Sequence, residues 1–514
     1  MRKIRKIFGL ILSRLGIVGL LLLFQLVILI FAIWQLAEAF IYIYIPLLII
    51  SGIVVVYIVS RRDNPSYKLA WAIPVLIFPI FGGLLYLIFG GKKINLRFRK
   101  KIERAYNEAL KVSIQDEKIM EELEKEDKRI AGQAKYTSKY ALAPVYKNTC
   151  TDYLSPGEKY FEKLIEELEK AEKYIFMEYF IIHEGKMWDA ILDVLERKVK
   201  EGVDVRMLYD DLGCLRTLPY KYDEYLRKKG IRCHAFNKFV PFLSIVLNNR
   251  DHRKITVIDG HTGFTGGINL ADEYINEIVK FGHWKDAGIM IKGEAVWNLT
   301  VMFLQMWSYE SKTKVDYEKF RWDGCKKEYA VEEGYVQPYG DSPLDNEIVG
   351  ENVYLNIINK AKDYVYISTP YLIIDNELVT ALTLAAKSGV DVRIITPHIE
   401  DKWYAHMMTK SYYAQLIEYG VKIYEYTPGF IHSKTVVADD EVGTVGSINF
   451  DYRSLYLHFE CGVWLYKTKS ILQIKEDYLE TLKICTPITL EMAKNVSVAM
   501  RILRSLFRVF APLM

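Results

Sequence analysis

The chain is 514 residues long, enough for two or three domains, and its 68 Lys and Arg against 64 Asp and Glu leave a formal net charge of +4. The charge is uneven: residues 1–101 hold 14 basic side chains against 2 acidic ones, and the remainder holds 54 against 62. The larger portion is therefore mildly acidic, which argues against a general nucleic-acid binder, and six scattered cysteines without a Cys-x-x-Cys pair read as reduced packing residues.

Residues 1–101 are predicted to be a membrane region. Leu15 to Leu36 and Phe40 to Val59 are apolar runs each long enough to span, with Glu38 at a tight hairpin between them. Ala37-Glu38-Ala39 imitates a signal-peptidase site, but the run before it exceeds a signal h-region and a second follows at once, so an uncleaved anchor is expected. A third apolar segment, Ala70 to Gly90, holds Pro74, Pro79, Gly82 and Gly83 and predicts a broken helix. The basic segments Arg2 to Arg14, Arg61-Arg62 and Lys92 to Lys101 all favour the cytoplasmic side. Two spans plus a re-entrant third segment satisfy all three and place the remainder of the chain, from residue 102, in the cytoplasm. The last basic run also suits anionic headgroups. Residues 102–135 predict a polar, charge-alternating helical linker in solvent.

From residue 136 strand and helix patterns alternate in two repeats, 136–325 and 326–490, so the expected class is α/β with a largely parallel sheet. EELEKAEKYIFMEYFI (166–181) is matched by NIINKAKDYVYISTPYLI (356–373), and EGVDVRMLYDD (201–211) by SGVDVRIITPH (388–398). The link near Asp316 to Asp341 is polar and loop-rich. Each repeat carries one spaced motif: His252, Lys254, Asp259, Gly266, Gly267 and Asn269, then His432, Lys434, Asp439, Gly446, Ser447 and Asn449, at a constant offset of 180 residues. Alternation along an extended run points each His and Lys to one face. Two such runs side by side would present two imidazoles and two ammonium groups to a phosphodiester: one His to attack phosphorus, the other to hand a proton to the leaving alkoxide. Gly267 and Ser447 allow close backbone approach, and Asn269 and Asn449 add neutral donors for equatorial oxygens. Glu178, at the end of a hydrophobic strand, is a further candidate for substrate contact. Trp284, Trp297 and Trp307 read as core, and Asp451 with Arg453 as an internal ion pair.

These paired motifs resemble the HKD motifs of the phospholipase D superfamily, over about Tyr136 to Thr486. With its membrane region the whole chain is similar to the bacterial cardiolipin synthase family, whose entry segment RRDNPSYKLAW resembles. The resemblance implies two such repeats packed about a pseudo-two-fold axis behind N-terminal transmembrane helices. It implies a phosphohistidine intermediate on His252, His432 as acid and base, and no metal or other cofactor. Asp286 and Glu460, 34 and 28 residues beyond the histidines of their own repeats, would orient imidazoles, and Asp259 and Asp439 would hold turns. The implied reaction transfers phosphatidyl from one phosphatidylglycerol to another with release of glycerol, at a bacterial inner membrane. Water (a phospholipase D) or serine (a phosphatidylserine synthase) are the alternative acceptors. Residues 491–514 predict a basic amphipathic helix, with Ala499, Leu503, Leu506 and Phe510 on one face and Arg501, Arg504 and Arg508 on the other, suited to a membrane interface or to packing on the protein.

Overall fold

A computed structural model of the chain describes residues 23–24, 26–28, 30–31, 40–86, 90, 96–238, 249–311, 313–322, 333–345 and 347–513. The chain divides into two compact units: Met1–Lys93 with Phe242–Ile245 and Val509–Met514, and Ile94–Pro241 with Val246–Arg508. In the first, the helix Phe40–Ser60 is followed by a turn and the helix Pro65–Ile77, whose Asn64 cap accepts from the Ser66 N–H while Pro65 begins the first turn. The expected break falls at Phe78 (φ −124°, ψ 77°), before Pro79–Leu85. Gly82 crosses so close to Pro74 that a Cβ there would sit 2.4 Å from the Pro74 carbonyl oxygen. Ile58, Trp71, Val75, Leu85 and Tyr86 form a small core. Among the described residues no helix is long and apolar enough to cross a membrane. Most of the expected first span, Leu15 to Leu36, lies outside the described residues.

The second unit contains both repeats. The first repeat has strands β1 Thr149–Leu154, β2 Tyr174–Tyr179, β3 Asp204–Asp210, β4 Arg232–Phe236, β5 Lys254–Ile258, β6 Thr262–Gly266, the short β7 His283–Lys285, and β8 Gly288–Gly293. The second has β9 Tyr335–Asp341, β10 Tyr364–Ser368, β11 Leu372–Ile373, β12 Asp391–Pro397, β13 Lys422–Tyr426, β14 Gly429–Ile431, β15 Thr435–Ala438, β16 Val442–Gly446, β17 Phe450–Asp451, β18 Glu460–Tyr466 and β19 Cys485–Ile488. The main sheets run β1-β8-β6-β5-β2-β3-β4 and β19-β13-β12-β10-β15-β16-β18-β9.

The sheets are mixed, which corrects the expectation of a largely parallel one. Within the two main sheets, among the described residues, only β2-β3-β4 and β10-β12-β13 are parallel, because these are joined through helical crossovers; β5-β6 and β15-β16 are tight hairpins and so antiparallel. One apolar core runs through both repeats, joining Phe176, Ile255 and Ile289 to Val437, Val445 and Val463. The helix Val296–Ser311 lies within it, its Phe303 stacked on Phe176 with centroids 4.6 Å apart.

Two further expectations are revised. The segment from 102 is not a solvated helix: it breaks at Asp127, which caps Lys128–Tyr140. Met120, Leu123, Ile130 and Ala134 are buried there, and Gln133 donates to the Val353 carbonyl. The end of the inter-repeat link is not loop but the buried edge strand β9, and 323–332 lie outside the described residues. The C-terminal helix Val498–Phe510 meets the protein through Phe507, edge-on to Trp403, and through Arg508, which stacks on Tyr412 and donates to Gln415. Ile502, Leu503 and Leu506 stay exposed.

Candidate active site

Two parallel pairings between the repeats build the centre. β14 pairs with β7 (Phe430 opposite Trp284, Ile431 opposite Lys285), and Asp251 bridges Phe459 in the same sense. The next residue along each motif run is its histidine: the His432 N–H donates to the Lys285 carbonyl at 2.7 Å and the His252 N–H to the Phe459 carbonyl at 2.9 Å. One residue further on the facing strand is a carboxylate. The His252 Nδ1–H donates to Glu460 Oε1 and Oε2 at 2.9 and 3.0 Å, and the His432 Nδ1–H to Asp286 Oδ2 at 2.6 Å. Each carboxylate thus serves the histidine of the opposite repeat, and each Nε2 is left for the substrate. The sequence located each carboxylate by its spacing from its own repeat's histidine, and the tertiary pairing gives it to the other.

The centre is buried and rich in cationic side chains. His252, Lys254, His432 and Lys434 are all buried. Each lysine ammonium donates back to the carbonyl of its own motif's histidine, with two N–H groups left over. Burial, then the Lys254 and Lys434 charges, push His252 well below its ordinary range. Burial and Lys434 bring His432 down to about 4 against the pull of Asp286. Burial lowers Lys254 to about 8 and Lys434 to about 7, the latter also pressed by Lys254. Burial alone would raise Asp286, but His432, Lys434 and the Ala287 N–H outweigh it and hold the carboxyl below its usual range. An entering phosphodiester anion reverses this balance by supplying the missing negative charge.

A pH dependence follows with a definite sign. Each lysine is cationic below its pKa and neutral above, while a phosphodiester keeps its charge. The kcat/KM for a monomeric short-chain phosphodiester lipid should fall by about tenfold or more between pH 7 and 9. A profile flat to pH 9 would show that the lysines keep their charge.

The remaining motif residues mostly serve this frame. Asp259 accepts from the Glu172, Lys173 and Tyr174 N–H groups, and Asp439 from those of Lys362, Asp363 and Tyr364, each pinning the entry to β2 or β10. Both sit at left-handed φ (51° and 54°) at the far end of the motif strand, so they hold turns. The Asn269 amide is engaged with the Ile181 N–H and the Tyr274 hydroxyl, whereas Asn449 Oδ1 has no hydrogen-bond partner among the described residues. Ser447 Oγ donates to Glu460 Oε2 and accepts from the Cys461 N–H, which fixes the carboxylate. Gly267 has the matching place beside Asp286, where a Cβ would lie 2.2 Å from Oδ1. Gly267→Ala should therefore displace Asp286 and cut turnover by about 10²-fold, the scale of losing an orienting partner, with β6 intact by circular dichroism. Full activity would show that Asp286 tolerates the shift.

Glu178 corrects the expectation of a substrate-side carboxylate. It pairs with Ile255 in β5, on the sheet face opposite Lys254, is fully buried, and forms an ion pair with Arg253 at 2.5 Å. Asp451 and Arg453 make no salt bridge among the described residues, although their charges attract: Asp451 caps Tyr452–Tyr456 through the Ser454 N–H.

The structure adds Phe180, Tyr274, Phe430 and His458, which the sequence did not single out, and places Trp284, read there as core, beside a motif histidine. The Phe180 ring stands 4.9 Å from the His252 ring, and Trp284, Tyr274 and Phe430 lie 5.2–5.9 Å from His432. His458 stands 5.5 Å from His252, and one ligand atom from each of His252, His458 and Glu460 lies within 4.8 Å of the other two. The available signal was its place two residues before Glu460, the spacing Trp284 has to Asp286.

Two lysine-flanked imidazoles, each held by a carboxylate from the other of two α/β repeats, define the phosphodiester-transfer centre of the phospholipase D class. The family described as "Cardiolipin synthase, PLD-like domain" matches residues 164–307 and 354–482, and "Phospholipase_D-nuclease N-terminal" matches 47–91. The chain belongs to the cardiolipin synthase family of phospholipase D-like phosphatidyltransferases. It is 34% identical over 471 residues to a cardiolipin synthase of Alkalihalophilus pseudofirmus, covering 91% of this chain and 92% of that one. It is 36% identical over 474 residues to a cardiolipin synthase of a Geobacillus species, covering 90% and 92%. Its fold is similar to a phosphatidylserine synthase of Haemophilus influenzae, with a TM-score of 0.54, 15% identity, and 71% and 95% of the two chains covered.

Proposed function

We propose that this protein makes cardiolipin by phosphatidyl transfer between two phosphatidylglycerol molecules. The observation that carries the reading is the pair of imidazoles fixed by carboxylates exchanged between repeats, in a chain of that family. His252 Nε2 attacks phosphorus and the bond to the glycerol oxygen breaks. His432, which acquires its proton as the anion binds, passes that proton to the departing glycerol. His432 then takes the proton of a hydroxyl on the second phosphatidylglycerol, whose oxygen attacks phosphorus and frees His252. Lys254 and Lys434 are the groups available to donate to the equatorial oxygens, while the unpartnered Asn449 Oδ1 can only accept, as from a lipid hydroxyl. The test is purified protein with phosphatidylglycerol alone: cardiolipin plus glycerol supports the reading, and phosphatidate or no product overturns it. Activity is expected to survive chelators, since lysines supply the charge here.

Residues 1–101 are proposed to anchor the enzyme in the inner membrane, as two spans and a re-entrant segment with the active site cytoplasmic. The reading draws on the apolar runs, on the exposed Ile49, Ile53 and Val56 of Phe40–Ser60, and on the break at Phe78. The apolar side chains exposed on Val498–Phe510 suit the membrane interface. Single cysteines replacing Lys3, Arg62 and Lys93 should all resist labelling from outside intact cells. Outside labelling at position 93 alone would make the third segment a span.

A further inference from the structure

The two halves of the site differ at the pair formed by Trp284 and His458. Trp284 and His458 each stand two residues before the carboxylate that orients the opposite repeat's histidine, and each lays its ring beside that histidine, at 5.2 Å from His432 and 5.5 Å from His252. Their surroundings differ. Trp284 packs among Tyr274 and Phe430 with centroids 4.7 and 4.9 Å away, an aromatic wall, and its one polar atom, the indole N–H, has no hydrogen-bond partner among the described residues. His458 has a side chain only 10% exposed, and neither ring nitrogen has a hydrogen-bond partner among the described residues. Its nearest carboxylate oxygen, Glu460 Oε1, is 3.8 Å from Nδ1, too far for a hydrogen bond and already engaged with His252. A buried imidazole with both nitrogens idle is costly unless something that enters the site uses them.

We propose that His458 is a third imidazole that contacts substrate, hydrogen-bonding the phosphodiester of the bound phosphatidylglycerol beside His252. This rests on the functional reading above and adds a recognition element that the paired motifs do not contain. Burial brings His458 down to about 3, so its ring stays neutral and offers one N–H donor and one acceptor nitrogen. The donor matches a non-bridging phosphoryl oxygen and the acceptor matches a lipid hydroxyl. Trp284, at the equivalent place, offers no acceptor. The two ends of the site are therefore unlike, although the motifs that build them are nearly identical.

His458→Phe keeps the ring packing and removes both nitrogens, and His458→Gln keeps a donor and an acceptor. Binding of dihexanoyl phosphatidylglycerol is measured without turnover in a His432→Ala background. We expect Kd to rise about tenfold with His458→Phe, to stay within about threefold with His458→Gln, and Tm to be unchanged in both. Equal Kd values for His458→Phe and its parent would overturn the proposal, as would a fall in Tm with no change in Kd. If His458→Phe does not fold, the ring-nitrogen resonances of His458 in the otherwise native protein decide: they should shift when the lipid is added, and no shift overturns the contact. Wild-type turnover is run alongside. Failure to make cardiolipin would overturn the functional reading, whereas cardiolipin made with an unchanged Kd in the variant would overturn this inference alone.

Discussion

Gln in place of Glu460 should disable His252, and Asn in place of Asp286 should disable His432, because each carboxylate belongs to the other repeat's histidine. Losing the carboxylate lets the imidazole take the wrong tautomer or rotate, at a cost of about 10²–10⁴ in turnover in comparable centres. An activated phosphatidyl ester, whose leaving group needs no proton, separates the two losses. With Asp286→Asn the lipid–enzyme adduct should still form and then accumulate, since attack by His252 is intact while His432 can no longer activate the acceptor. With Glu460→Gln the adduct should barely form. If each carboxylate served its own repeat's histidine, the two results would be exchanged.

Removing the imidazoles themselves should have the larger effect. His252→Ala and His432→Ala are each expected to lower turnover of phosphatidylglycerol by about 10⁴–10⁶-fold, the range seen when one member of a catalytic unit is deleted. Only His432→Ala should still give a covalent adduct with the activated ester, identified as an acid-labile phosphohistidine at position 252. An adduct in His252→Ala instead would move the nucleophile to the second repeat. No adduct in either variant would remove the covalent route. Both variants should fold, because each histidine's backbone hydrogen bond to the opposite repeat does not involve its side chain.

A good part of this centre was legible in the sequence. The motif residues recur at a fixed offset, so duplication was visible without any structure, and with it the chemistry of two imidazoles and two ammonium groups. The break at Phe78 was legible from Pro79, which begins the next helix, whereas Pro74 is accommodated inside Pro65–Ile77. Asp259 and Asp439 were readable as turn holders, since a carboxylate between strand and turn finds clustered N–H groups nearby.

What the sequence determined is what repeats and periodicity encode: two α/β repeats, the side chains that carry charge and protons, and the alternation that sets a histidine and a lysine on one face. Only the tertiary structure decided which carboxylate holds which histidine, because Phe430 meets Trp284 and Asp251 meets Phe459 across the repeats, and a pairing between segments about 146 and 208 residues apart leaves no local pattern. It also decided that Glu178 turns away from the substrate to an arginine: strand alternation gives two faces, and which of them meets the pocket depends on the neighbouring strand. The unlike surroundings of His458 and Trp284 have the same origin. Identical spacings place the two rings alike, and the elements packed around each then surround Trp284 with aromatic rings and leave both ring nitrogens of His458 without a hydrogen-bond partner among the described residues.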